Sequence, residues 1–162
     1  TMKLSGEIIT KGLCKFFKIP FSIIRPSAVY GPTDMNNRVS QIFIEKALAR
    51  KNIKIQGVNE SLDFTYVDDL VNGIILSATK TNGLNQIFNI TRGKAEKLIT
   101  FVKVLSKYVD NIKFHVTERD SFRPKRGTLS VKKAKNLLGF KSKFSLENGL
   151  KKYLDFLDKF KK

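Results

Sequence analysis

Phe21-Ser22-Ile23-Ile24-Arg25-Pro26-Ser27-Ala28-Val29-Tyr30-Gly31-Pro32 is the stretch that decides the fold. Its first four residues form a short apolar run, as expected of a strand buried in a parallel sheet. Arg25-Pro26 stops the run. From Pro26 to Asn37, the residues Pro26, Ser27, Gly31, Pro32, Asp34, Asn36 and Asn37 predict a long loop. Such a loop leaves the carboxyl end of a strand and meets ligand.

Upstream, Lys3 to Phe17 carries helical apolar spacing and ends before Pro20, which cannot continue a helix. Downstream, helix signals run from Val39 to Ala49. Two short strands follow, at Ile53-Lys54-Ile55 and at Phe64 to Val67. Asp68 precedes Leu70, Val71, Ile74, Ile75 and Ala78, so it is expected to cap a helix by accepting free backbone N–H groups. Ile87 to Ile90 predicts another strand, Lys97 to Val109 a helix, and Ile112 to Val116 a half-buried strand. A basic loop, Arg119 to Gly127, leads to two closing helices. Ser130 is expected to cap 131–138, which ends at Gly139, and Ser145 to cap 146–160. Short strands mixed with helices and no interior linker predict an α/β or α+β chain, with 1–162 as a single unit.

Composition narrows the function classes. With 41% hydrophobic residues the chain can bury a core, so disorder is not the default. No apolar run reaches the ~18 residues of a membrane-spanning helix, so no membrane partner is expected and the expected compartment is the cytoplasm. Cys14, the one cysteine, is expected to be a buried structural thiol. His115 has no second histidine or cysteine nearby, and no metal site is expected. Asp68 and Asp69 are not read as a metal pair either, because Asp68 has a capping role and no further ligand lies close in sequence. The formal charge is +17, and residues 121–162 hold 13 Lys or Arg against 3 Asp or Glu. Most of these lysines fall beside leucines and phenylalanines at helical spacing, as solvated faces of amphipathic helices, so nucleic acid is not the expected partner.

Four segments, in order, resemble the extended short-chain dehydrogenase/reductase family, which contains UDP-galactose epimerases and dTDP-glucose dehydratases. Lys3-Leu4-Ser5-Gly6-Glu7 is similar to the part of that family's Tyr-x-x-x-Lys helix beginning at its lysine. Ile24 through Pro32 is similar to the strand and loop that pass under the nicotinamide and open onto substrate. Asp63-Phe64-Thr65-Tyr66-Val67-Asp68-Asp69-Leu70 resembles the strand-to-helix signature of the C-terminal lobe. Arg123-Pro124 through Lys133-Ala134-Lys135-Asn136-Leu137-Leu138-Gly139-Phe140, then Ser145 to Leu150, resembles the basic loop and closing helices.

The resemblance implies the C-terminal part of a Rossmann-like fold with its small α+β substrate-binding lobe. It also implies an NAD-dependent nucleotide-sugar epimerase or dehydratase as the full-length parent. Lys3 becomes the expected catalytic lysine, lowering a tyrosine's pKa and holding the nicotinamide ribose, and Pro26 and Ser27 are expected to meet the cofactor through their backbone. Arg123, then Arg126, are expected on the substrate diphosphate, with Val39 and Ile55 lining the base pocket. Ala28 and Leu62 depart from the family's usual Asn and Arg. No Gly-x-x-Gly-x-x-Gly turn occurs in these residues, and the family's tyrosine would fall two positions ahead of Thr1. The expectation is therefore a C-terminal half that binds a UDP-, dTDP- or GDP-sugar. NAD or NADP would serve in the parent, itself expected to be a homodimer; the fragment alone is expected to bind no cofactor and to be inactive. Two alternatives stay open: an NAD(P)-dependent reductase of the same superfamily, and a basic nucleic-acid-binding or scaffold module, whose affinity would fall steeply with salt.

Overall fold

The computed structural model describes residues 2–160. The chain begins α1 (Met2–Phe16), β1 (Ser22–Pro26), β2 (Val29–Tyr30), α2 (Val39–Leu48), β3 (Ile53–Gln56), β4 (Ser61–Leu62), β5 (Thr65–Tyr66) and α3 (Val67–Thr79). After a 3-10 turn come β6 (Gln86–Ile90), β7 (Glu96–Lys97), α4 (Leu98–Leu105), β8 (Phe114–Thr117), α5 (Lys132–Leu138) and α6 (Leu146–Lys159). The fold class is α/β: three strand pairs, β1 with β6, β2 with β5 and β3 with β8, are parallel, and β4 with β7 is antiparallel.

Two cores hold these elements. One gathers Phe88 and Ile90 of β6 with Ala134, Leu138 and Phe140 around α5. The larger one packs α2, β3, α4 and α6 around Phe101, whose ring lies 4.8 Å from Phe64 and 6.0 Å from Phe43 between centroids. The stretch from β1 to α2, expected as one long loop from Pro26 to Asn37, is interrupted by β2. It carries non-glycine residues in left-handed backbone, Ala28 at φ 36°, Thr33 at 65° and Asn37 at 52°. Each such residue costs on the order of 1 kcal/mol, strain the surrounding packing must hold in place.

Several expectations are corrected here. Asp68 does not cap α3; the cap position is Tyr66, without a side-chain bond. Asp68 lies in the first turn and pairs with Lys152 at 2.6 Å. Its neighbour Asp69 is buried, and its carboxylate accepts from Ser142 Oγ (2.7 Å), Lys143 N (2.8 Å) and Phe144 N (3.1 Å). Ser130 does not cap α5, since Val131 holds that position. Gly139 does end α5 in left-handed backbone, and Ser145 does cap α6 by accepting from Asn148 N at 3.1 Å. The strand at β8 is more exposed than its alternation predicted, with Phe114 and Val116 both at 43%. Cys14 is part-exposed rather than buried, because no residue of α1 is buried at all.

An ion pair links α1 to β1. Arg25 donates from Nε and Nη2 to the two carboxylate oxygens of Glu7, at 2.7 and 2.6 Å. This hydrogen bonding keeps the Glu7 carboxyl below its ordinary range. A depressed carboxylate contributes fully above its unfolded-state pKa and is lost as pH falls through the folded value. The protection of α1 amides, relative to their intrinsic exchange at the same pH, is therefore expected to fall in acid, and Glu7→Gln to abolish that acid response. A variant that keeps the same response would remove the pair from the account.

Candidate functional site

The loop after β1, the start of α2, β3 and the basic loop after β8 enclose a cleft of about 600 Å³. From α1, Lys3 reaches one side, beside Pro26 and Ser27. Val39 and Phe43, one turn apart on α2, supply an apolar wall. Arg123 and Arg126 face the cleft from the basic loop. Six of the seven site residues expected from sequence thus share one cavity: Lys3, Pro26, Ser27, Val39, Arg123 and Arg126.

Ile55 does not. It is fully buried in the lobe core, and its strand neighbours Lys54 and Gln56 line the cleft instead. The reason is the two-residue period of a strand, which turns Ile53 and Ile55 inward and Lys54 and Gln56 outward. That alternation was the available signal for the two missed residues.

Arg38 was also missed. It occupies the cap position of α2 in extended backbone, with no side-chain cap on the helix. Val39 and Ser40, the first residues of α2, line the cleft at the positive end of the helix dipole, and no side chain caps the helix. A helix start of this kind, beside an arginine, is suited to an anion.

The cleft wall carries six cations, Lys3, Arg38, Lys54, Arg119, Arg123 and Arg126, against the carboxylates Glu60 and Asp120. Both acids are engaged, Glu60 with Arg119 at 2.6 Å and Asp120 with Arg123 at 3.4 Å. Among the described residues Lys3, Arg38, Lys54 and Arg126 have no ion-pair partner, so the field in the cleft is positive. None of the four tyrosines lines it. Burial pushes Tyr66 up to about 12 and raises Tyr30 and Tyr153 as well. These phenols are packing groups whose ionisation burial disfavours.

Residues 1–91, more than half of the chain, match the model of the NAD dependent epimerase/dehydratase family. The chain belongs to that family. Over 160 residues it is 31% identical to an uncharacterized UDP-glucose epimerase, YtcB, of Bacillus subtilis, covering 96% of this chain and 50% of that protein. A UDP-glucuronic acid 4-epimerase from Bacillus cereus, solved with UDP-glucuronic acid and NAD, superposes with TM-score 0.88 at 27% identity, covering 97% of this chain and 51% of that one. A UDP-glucose 4-epimerase from Thermotoga maritima, solved with UDP-glucose, also gives 0.88, at 28% identity, covering 99% and 53%. These neighbours are Rossmann-like epimerases, and the chain spans about half the length of the curated relatives it matches. No described helix is long and apolar enough to cross a membrane.

Proposed function

We propose that residues 1–162 act as one unit, the sugar-nucleotide-binding half of an NAD-dependent nucleotide-sugar epimerase or dehydratase. The observation that carries this is the cleft itself, where the uncapped start of α2 meets Arg38, Arg123 and Arg126 around a void with an apolar wall. A diphosphate suits those donors, because arginine can give two parallel hydrogen bonds to phosphate oxygens. Val39 and Phe43 suit a base or a sugar face. The cofactor-side residues fit one end of a dinucleotide, since Lys3 has no ion-pair partner among the described residues and lines the cleft beside Pro26 and Ser27. A bound nicotinamide supplies the hydride chemistry. Lys3 contributes charge: an ammonium near a phenol of ordinary pKa ~10 favours its ionised form, which makes it a better acid/base at working pH.

The test is calorimetric titration of this chain with UDP, dTDP and GDP. One of them is expected to bind, more weakly as salt rises, and Arg123→Ala is expected to cost about tenfold in affinity, the worth of a charge-assisted contact at an exposed arginine. NAD turnover by this chain alone is expected to be nil, since no phenol faces the cleft. Binding of none of the three diphosphates would sink the proposal and favour a reductase of small carbonyls.

A further inference from the structure

Arg123 and Arg126 sit on a loop with few apolar anchors: residues 121–128 are all exposed. Something other than a core must hold it in place. Its two ends are gripped by a single short segment, Gly57 to Asp63, which runs from the end of β3 through β4. At the leading end, Gly57 N donates to Thr117 O at 2.9 Å, and Glu60 pairs with Arg119, which in turn donates to the carbonyl of Arg123. At the trailing end, Ser61 Oγ donates to Arg126 O at 3.4 Å. Leu129 N donates to Asp63 Oδ2 at 3.2 Å.

Asp63 is the centre of this arrangement. It is fully buried, with no Lys or Arg paired to it among the described residues. Its carboxylate is satisfied by Thr91 Oγ1 at 3.0 Å, by Gly93 N at 3.1 Å and by Leu129 N. Those donors come from the turn after β6 and from the stretch leading to α5, two segments that are also joined by Ala95 N donating to Thr128 Oγ1 at 2.9 Å and Asn89 Nδ2 donating to Ser130 O at 3.0 Å. A buried carboxylate is costly unless such donors surround it, so the donors are fixed as firmly as the acid.

We infer that Asp63 and Glu60 are positioning residues for the cleft, holding the loop so that Arg123 and Arg126 point inward. Neither is a catalytic residue, and the inference rests on the reading of the cleft as a diphosphate site. Asp69 provides the matching control. It too is buried and fastens backbone N–H groups, but those of Lys143 and Phe144, which do not line the cleft.

Two readouts separate positioning from general stability. In Asp63→Asn an amide NH2 replaces one acceptor oxygen and faces donors, so the hold on the loop end is weakened although the Thr128 and Ser130 bonds remain. UDP affinity is expected to fall about tenfold or more, and trypsin to cut native protein faster after Lys125 and Arg126. Asp69→Asn is expected to lower the melting temperature comparably with neither effect. Should Asp63→Asn fail to fold, Glu60→Gln, at a part-exposed pair, is expected to fold normally, bind UDP several-fold more weakly and admit the same cuts. Unchanged affinity and cleavage in these variants, or an equal loss in Asp69→Asn, overturns the inference. If the unaltered chain binds none of UDP, dTDP and GDP, the functional proposal falls and the cleavage pattern decides this one alone; if it binds dTDP or GDP instead of UDP, that diphosphate replaces UDP in the titrations.

Discussion

Gly149→Ala is expected to destabilise the chain by about 2–3 kcal/mol, although alanine is the better helix former. The glycine lies inside α6, where helix propensity alone favours alanine by about 0.8–1.0 kcal/mol. Against that stands Tyr30, whose hydroxyl donates to Leu146 O and occupies the space that a Cβ at position 149 needs. Tyr30 cannot yield, because its ring is wedged among Phe64, Tyr66 and Phe101 at centroid distances of 6.3, 5.6 and 6.3 Å. Overpacking at a closed site costs about 1–3 kcal/mol, and the displaced hydrogen bond about 1 more, so the clash wins over propensity. Gly12 supplies the contrast: a methyl group projecting from its Cα on α1 would meet nothing within 4 Å, so Gly12→Ala is expected to gain about 0.5–1 kcal/mol. Urea denaturation of the two variants measures both signs, and a stabilised Gly149→Ala would mean that α6 and Tyr30 are not packed as described.

Phe101→Ala is expected to have the largest effect of any single change, about 3–5 kcal/mol. Phe101 is fully buried and its ring meets those of Tyr30, Phe43 and Phe64, joining α4 to α2 and to the segment before β5. A domain of this kind has about 5–15 kcal/mol in all, so the change removes a large part of it. Its effect should reach the cleft. Phe43 packs on Phe101 and also lines the cavity, so loss of the ring loosens the wall on which a base or sugar would rest. Denaturant titration is expected to show the stability loss, and UDP titration a weaker complex under conditions where the variant is still folded. Undiminished affinity in folded Phe101→Ala would dissociate the core from the site.

The elements that are legible in the sequence are those whose signals are local. Pro20 and Pro26 bracket β1, Ser145 caps α6 within three residues, and Gly139 ends α5 through its own backbone. Each such signal is complete within one turn of chain. What escapes depends on partners far along the sequence. Asp68 and Asp69 look alike as caps, and only Lys152, the Ser142 hydroxyl and the backbone of Lys143 and Phe144 tell them apart. The site shows the same division. Arg123 and Lys3, expected through motif order, both line the cleft, whereas Ile55 turns into the core and its alternating neighbours Lys54 and Gln56 line the cleft. Arg38 carries no local sign, because its importance comes from an absent cap and from a cleft that only the folded loop creates. The exposure of Cys14 is hidden for a similar reason: helical spacing reveals that a face is apolar, not what stands against it.

The parallel pairing has a consequence in time. Ser22 sits opposite Gln86, and Ile53 opposite Phe114, so each pair must close a large span of chain before its first hydrogen bond repays the search. Loop-closure entropy of that kind slows folding and leaves little reward for partial solutions. Refolding should accordingly be slow beside that of a helical bundle of equal length, with β3 gaining protection only once residues beyond 113 have arrived.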